Sequence, residues 1–383
     1  MTEHSQEKTF MGIERSVTGK WWRERANDER LATTIAQRFG VPEIVGRVMA
    51  ARGIDLDDAE SFLSPTLRDL MPDPSSLQDM DKAAARIADA VEAGEGIAVF
   101  GDYDVDGATS TALLKRFFRS IGVDVPVHIP DRMKEGYGPN ATALLELQRK
   151  GAKLILTVDC GVTAYAPLQE ARDAGIEIIV VDHHAAEPEL PPAVAVVNPN
   201  RLDDESGLGH LCAAGVAFLV CVALLRELRN RGWLEKKGVR APDLRNWLDL
   251  VALGTVCDVV PLRGLNRAFV TQGLKVMKHR SNVGMTSLAD IAGVNEVPSA
   301  YHLGYVLGPR VNAGGRVGES FLGTTLLSGE NPAEAQDIAR RLDEYNRERK
   351  AIEDIVLDQA ISAVEGKSKV GSMVLVGGDD WHP

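Results

Sequence analysis

The sequence predicts an α/β protein: a parallel-sheet domain with helices on both faces, then a helical region, a long connecting helix and the start of a second α/β domain. Three observations carry this prediction. Short, nearly all-apolar segments alternate with amphipathic helical ones between residues 81 and 197, the pattern of a parallel sheet buried on both faces. Asn331-Pro332 opens a long run of helical periodicity, and a last apolar stretch at 373–376 begins something new. At 383 residues the chain also exceeds one ordinary core.

Residues 1–75 read as short helices and a connector punctuated by Ser64-Pro65, Met71-Pro72 and Asp73-Pro74. The sheet domain is expected over 76–265. It starts with a helix over 81–93, where Ala84, Ile87, Ala88 and Val91 share a face. Strands are expected at 97–100, 123–129, 154–158, 176–181 and 194–197, with helices over 108–121, 144–150 and 166–174. Two helical blocks follow at 210–231 and 244–256. Residues 266–330 read as mainly helical, and 331–368 as the connecting helix. Asn331 is its N-cap, Pro332 its first turn, and Glu334 completes a capping box. At 1.5 Å per residue it spans about 50 Å, enough to join two domains. Residues 369–383 open the next domain.

Hydrophobic residues make up 44% and charged residues 26%, the balance of a soluble globular protein. Charges interrupt every apolar stretch before ~18 residues, which excludes a membrane-spanning helix, and the first thirty residues lack the apolar core of a signal peptide. Cys160, Cys212, Cys221 and Cys257 form no CxxC pair and lie in apolar runs, as buried thiols of a reducing, cytoplasmic compartment do. The net charge of −12 speaks against a nucleic-acid partner unless carboxylates are committed to metal ions. A local basic run, Arg226 to Arg245, reads first as a solvated face.

Three expected strands end in aspartate. Phe100-Gly101 leads into Asp102-Tyr103-Asp104-Val105-Asp106-Gly107, Val158 into Asp159-Cys160-Gly161, and Val181 into Asp182-His183-His184. In an open parallel sheet the carboxyl ends of the strands share one edge, and ligands bind outside it. A single aspartate after a strand is commonly a helix cap, and Asp106 before Gly107 fits that role. Three coincident strand ends are harder to explain as caps. So many carboxylates repel one another unless cations neutralise them, and hard oxygen donors with one or two imidazoles suit Mn²⁺ or Mg²⁺.

Asp258, in Gly254 to Pro261, reads in isolation as a turn residue at a helix end. Pro309-Arg310-Val311-Asn312-Ala313-Gly314-Gly315-Arg316 suggests a loop whose glycine amides, flanked by arginines, cradle a phosphate, although Gly-Gly-Arg is also a plain turn. His128, His210, His279 and His302 stand alone and read as structural; Trp21, Trp22 and Tyr137 read as packing residues before base-stacking ones. No Gly-Lys-Ser/Thr phosphate loop is present, which argues against an NTPase.

Together these segments resemble the DHH phosphoesterase superfamily, named for an Asp-His-His such as Asp182-His183-His184, and within it the bacterial exonucleases specific for single-stranded DNA. Residues 99–107 are similar to the first motif, 157–161 to the second, 181–184 to the third, 254–262 to the fourth and 307–316 to a later arginine motif. The resemblance implies metal ligation by Asp104, Asp106, Asp159, His183 and Asp258, with Asp159 as a bridge. It implies catalytic roles for Asp102, Asp159 and His184, and phosphate or DNA contacts from Arg310, Asn312, Gly315 and Arg316. The fold it implies is a DHH domain over 76–265, with 369–383 beginning an incomplete DHHA1-like domain. Family members continue further, so a C-terminally short version is expected.

The implied activity is 5′-to-3′ hydrolysis of single-stranded DNA with two divalent ions, in repair and recombination. Single-stranded DNA is the implied partner, with single-strand-binding protein and a helicase as further candidates, and no membrane. Two alternatives stand beside it: a phosphatase for small molecules or short oligonucleotides, and a non-catalytic DNA-binding fragment.

Overall fold

The computed structural model describes residues 9–365 apart from 24, 26 and 27, together with 371, 373–378 and 381. The chain divides into two compact units, Met1–Leu70 and Met71–Pro383.

The first unit is helical: α1 (Glu29–Phe39), α2 (Glu43–Ala51), α3 (Ala59–Leu63) and α4 (Leu67–Leu70). Asp28 caps α1 by accepting the Leu31 N–H at 2.8 Å. Ile35, Met49, Ile54 and Ala59 form its core. Gly46 lets α2 lie against α1, since a Cβ there would stand 2.2 Å from the Ala32 carbonyl oxygen.

The second unit is built on five parallel strands: β1 (Gly96–Phe100), β2 (Val127–His128), β3 (Ala152–Val158), β4 (Glu177–Val181) and β5 (Ala195–Val197). Their order is β2-β1-β3-β4-β5. Helices α5 (Met80–Ala93), α6 (Val105–Ser120), α7 (Ala141–Arg149) and α8 (Tyr165–Asp173) alternate with them; α9 (Ala213–Asn230) and α10 (Trp233–Lys237) follow. One face of the sheet, with Ala98, Phe100, Ile155, Ile178 and Val180, packs on Leu144 and Leu147 of α7 and Leu168 and Ala171 of α8. Helices α5, α6 and α9 pack on strands from the other side. Burial on both faces is why the strands lack polar alternation.

The rest is helical: α11 (Leu248–Cys257), α12 (Gly264–Lys278), α13 (Val283–Ile291), a π-helical turn at His302–Leu307, α14 (Gly308–Val317), α15 (Leu322–Ser328) and α16 (Pro332–Val364). Asn331 caps α16, accepting the N–H groups of Ala333 and Glu334 at 3.0 and 3.4 Å. Ala335, Ile338, Ala339 and Leu342 bury its first half, which packs on α13, α14 and α15. Ile355, Leu357 and Ile361 in its second half are exposed. No helix among the described residues is long and apolar enough to cross a membrane.

Three expectations are corrected. The strand expected at 123–129 shrinks to Val127–His128, because Pro126 has no N–H to donate and contributes only its carbonyl, to Val99 N. Residues 373–376 form no strand: Met373 and Leu375 are exposed, and among the described residues nothing pairs with this segment. Of the domain start expected at 369–383, residues 369, 370, 372, 379, 380, 382 and 383 lie outside the described residues. The basic run is not simply solvated: Arg226 pairs with Asp73 and Asp81, Arg231 with Asp89, Glu92 and Glu227, and Arg245 with Asp243.

Candidate metal centre

The strand order fixes where a site forms. From β1 the chain crosses to β2 on one side, then returns past β1 to β3 on the other. Beyond the carboxyl ends of β1 and β3 the connections diverge and leave a crevice, into which β4 adds its own terminus.

The loop after β1 is drawn tight by glycine. At Gly107 a Cβ would stand 2.5 Å from the Asp102 carbonyl oxygen, so only glycine lets α6 begin this close to the loop. Asp104 caps α6, accepting the Gly107 N–H at 3.0 Å. Asp106, which the sequence offered as that cap, instead accepts the N–H groups of Ala213 and Ala214 at 2.6 and 2.9 Å, so it caps α9. This one carboxylate ties the start of the sheet domain to the helix more than a hundred residues later. Gly254 of α11 is there for the same reason: a Cβ would stand 2.7 Å from Asp106 Oδ1.

Asp159 follows β3 in the left-handed region at φ 61°, an uncommon conformation for a side-chain-bearing residue and one that marks constrained sites. Its N–H donates to Val181 O at 3.1 Å and its carbonyl accepts the Tyr137 hydroxyl at 3.1 Å. After β4, Asp182 orients both histidines. Its Oδ1 accepts the N–H of His183 at 2.7 Å and of His184 at 3.2 Å, and meets His184 Nδ1 at 2.8 Å. Asn200 and Asn198, just beyond β5, donate to the carbonyls of His183 and His184.

Seven sequence-selected side chains meet here. Asp159, His183 and His184 form one group, Asp106, His183 and Asp258 a second, and Asp102, Asp104 and Asp159 a third; within each, the donor atoms lie within 4.8 Å of one another. His183 Nε2 lies 3.2 Å from Asp159 Oδ1 and 3.8 Å from Asp106 Oδ2, and its Nδ1 lies 3.7 Å from Asp258 Oδ2. Asp258 is the residue capping the end of α11.

Electrostatics separates the members. Burial, then the charge of Asp104, pushes the Asp102 carboxyl up to about 7. Burial, then Asp258 and Asp104, takes Asp106 to about 8, and burial with Asp104 takes Asp258 to about 6. Asp159 is raised well above the usual carboxylate range by burial and by Asp106 and Asp104. Burial also acts to raise Asp182, but the hydrogen bond and charge of His184, with the Val162 and His184 N–H groups, outweigh it and hold Asp182 low. The Asp182 hydrogen bond raises His184, whereas burial and the charge of His184 lower His183. Of the two imidazoles His183 is therefore the weaker base and His184 the stronger.

This donor set suits divalent cations. Asp102 Oδ1, His183 Nε2 and Asp258 Oδ2 are buried without any hydrogen-bond partner. Clustered carboxylates that ionise only against one another, beside a neutral imidazole, match oxygen-preferring ions such as Mn²⁺ and Mg²⁺.

The arginine segment differs from its expected form. Residues 308–317 are helix α14, so the amides of Gly314 and Gly315 are not freed for a phosphate cradle. Gly315 instead permits close packing: a Cβ there would stand 2.9 Å from the Tyr103 carbonyl oxygen, in the loop that carries Asp102 and Asp104. Arg310 is bound to Asp343 Oδ1 at 2.9 Å and to the Val306 carbonyl at 2.7 Å. Asn312 and Arg316 line a groove of about 430 Å³ with Arg349 and Glu353 of α16. The charge of Arg316 reaches Tyr103, and the Arg132 guanidinium lies 5.4 Å from the centre of the Tyr103 ring. Sequence reasoning missed Tyr103, Arg132, Asn198 and Asn200. Asn198 and Asn200 had a signal, since they follow another apolar strand at the same sheet edge.

Residues 96–255 match the DHH family, N-terminal domain. The chain is 33% identical over 365 residues to single-stranded-DNA-specific exonuclease RecJ of Bacillus subtilis, covering 94% of this chain and 44% of the relative. It is 37% identical over 352 residues to the exonuclease of the same name from Salmonella typhimurium, covering 89% of this chain and 60% of the relative. A crystal structure of exonuclease RecJ bound to manganese is similar at 37% identity and a TM-score of 0.66, over 77% of this chain and 71% of that one. The chain thus spans roughly half the length of the curated relatives it matches. Strand-end motifs, sheet order and these likenesses agree: the chain belongs to the DHH family, on its RecJ branch.

Proposed function

We propose that this chain hydrolyses phosphodiester bonds of single-stranded DNA from the 5′ end, as a metal-dependent exonuclease of DNA repair and recombination. The observation that carries this reading is the meeting of buried carboxylates and a neutral imidazole at one sheet edge, with partnerless oxygen and nitrogen atoms among them. Asp104, Asp106, Asp159, His183 and Asp258 would hold two divalent ions, Mn²⁺ or Mg²⁺, with Asp159 shared. Divalent ions at such a site supply Lewis-acid chemistry: they make water a nucleophile near neutral pH and neutralise charge on the scissile phosphate.

The chain's own residues do the rest. Asp182 orients the His184 ring through Nδ1 and raises its affinity for a proton, which favours a donor toward a bound phosphate. Asp102, whose oxygen groups with those of Asp104 and Asp159, supports the ligands at the edge of the site. Arg316 and Asn312 offer donors to the strand's phosphates along the groove toward α16, while Arg310 and Gly315 set the position of α14. Committing the acids to metal answers the objection raised by the net charge of −12. The same reading places the protein in the cytoplasm, with single-strand-binding protein and a helicase as partners. The free cysteines support the compartment, and the relatives' names support single-stranded DNA as the substrate.

Substrate choice tests the reading. In Mn²⁺, a 5′-phosphorylated single-stranded oligonucleotide should be degraded to mononucleotides while the duplex and a 5′-blocked strand survive. Cleavage of nitrophenyl phosphate with the oligonucleotide left intact would instead identify a small-molecule phosphatase.

A further inference from the structure

Helix α11 ends at the metal centre and begins with an acid that the centre does not use. Asp249, in its first turn, is 1% exposed. Its Oδ1 accepts the Leu250 N–H at 2.9 Å, and its buried Oδ2 has no hydrogen-bond partner. It lies nine positions before Asp258, about 14 Å along the helix axis, so it stands outside the proposed catalytic site. Arg116, whose charge acts on Asp249, is already bound to the carbonyls of Leu327 and Gly329 at 2.8 and 3.1 Å.

Asp249 lines a cavity of about 340 Å³, within the size range of small-molecule pockets. Met277 of α12, Met285 and Ala289 of α13, and Val294 give it an apolar side, while Thr286, Asn295 and Glu296, with the exposed Lys278 and Arg280, give it a polar rim. A carboxylate oxygen buried without a donor is destabilising, and a donor that reaches it from the cavity side removes that penalty. At about 340 Å³ the cavity is far larger than one metal ion or one ordered water fills. An organic molecule satisfies both the acid and the apolar walls.

We propose that this cavity binds a small organic molecule with an N–H donor head on a compact apolar body, the head on Asp249 and the body between the methionines of α12 and α13. Two ligand types share that chemistry: an amidinium or ammonium, and the amino–imino edge of a guanine base, whose phosphate would suit Lys278. Calorimetric titration of the 383-residue chain, stripped of metal, with benzamidine and separately with guanosine monophosphate distinguishes them. Binding of the first assigns a cationic ligand; binding of the second assigns a nucleotide.

In either case Asp249→Asn should weaken binding on the order of 10-fold or more, the loss expected for a charge-assisted hydrogen bond. Thr286→Phe, which fills the cavity from a half-buried wall, should abolish it, and Asp159→Asn should leave it unchanged. The two cavity variants act independently, so the test survives if one of them fails to fold. Failure of both probes to bind at millimolar concentration, or affinity that Asp249→Asn and Thr286→Phe leave intact, would overturn the proposal.

Discussion

The sheet edge and helix α14 stand side by side, yet they were readable in the sequence to very different degrees. At the sheet edge the backbone does the positioning. Parallel strands must end together, so an aspartate after each one arrives in the same crevice without any assumption about side chains. At α14 the positioning is tertiary. Gly314-Gly315 is a poor helical sequence, and it is helical because each glycine lies against a neighbour. A Cβ at Gly314 would stand 3.0 Å from the Glu319 carbonyl oxygen, and one at Gly315 would press on Tyr103. Local propensity misleads where packing decides.

The largest effect should come from the residue that joins the two halves of the sheet edge. Asp106→Ala removes a proposed metal ligand and also orphans the buried N–H groups of Ala213 and Ala214. Mn²⁺ affinity should fall more than about 100-fold, beyond what loss of a merely orienting residue costs, and the fold should lose about 1–3 kcal/mol. Calorimetry and chemical denaturation measure the two losses. Loss of stability alone would reduce Asp106 to a cap.

Helix α14 can be dissected by its two arginines. Arg310→Ala breaks the pair with Asp343, both residues being largely buried, and should cost about 1–3 kcal/mol in denaturant. Arg316→Ala should leave stability within about 0.5 kcal/mol and raise the KM for an oligonucleotide by about 10-fold. The reverse pattern would place substrate contact on Arg310 and sink the division of labour drawn here.

Metal-free stability should depend on pH in a direction set by the raised carboxyls. Asp102, Asp106 and Asp258 ionise near 7, 8 and 6 in the fold against 3.8 in the unfolded chain. From about pH 4 to about pH 8 the unfolded chain therefore releases protons that the fold retains, and stability falls as pH rises. Melting curves without metal should show this decline, and Mn²⁺ should remove it. A flat metal-free profile would mean that the acids do not confront one another as described. The smallest effect belongs to Tyr137→Phe, which deletes the hydrogen bond to the Asp159 carbonyl and a longer one with His184 Nδ1, and should cost about 0.5–1.5 kcal/mol in a thermal melt.

The apolar strands, the capped helix α16 and the convergence of Asp102, Asp104, Asp106, Asp159, His183 and His184 were all legible, because periodicity, capping chemistry and strand polarity are written locally, whereas Asp258, at the end of helix α11, read as a turn residue until the family resemblance pointed to it. What stayed hidden depends on partners distant in sequence. Asp104 and Asp106 exchange their capping roles because α9 arrives with its amides exposed. Arg231 looks solvated until Asp89 and Glu92 of α5 fold against it. Residues 373–376 carry the composition of a strand, but a strand exists only when a neighbour pairs with it.

The central claim, metal-dependent hydrolysis at the sheet edge, is tested most directly by following single-strand digestion in Mn²⁺ for the wild type and for Asp159→Asn. This substitution keeps the shape of a buried side chain whose charge the metal-free fold disfavours, so folding should survive it. The account expects wild-type digestion that chelation abolishes, and a variant slower by more than about 100-fold with an unchanged melting temperature. Digestion by Asp159→Asn at the wild-type rate would contradict it.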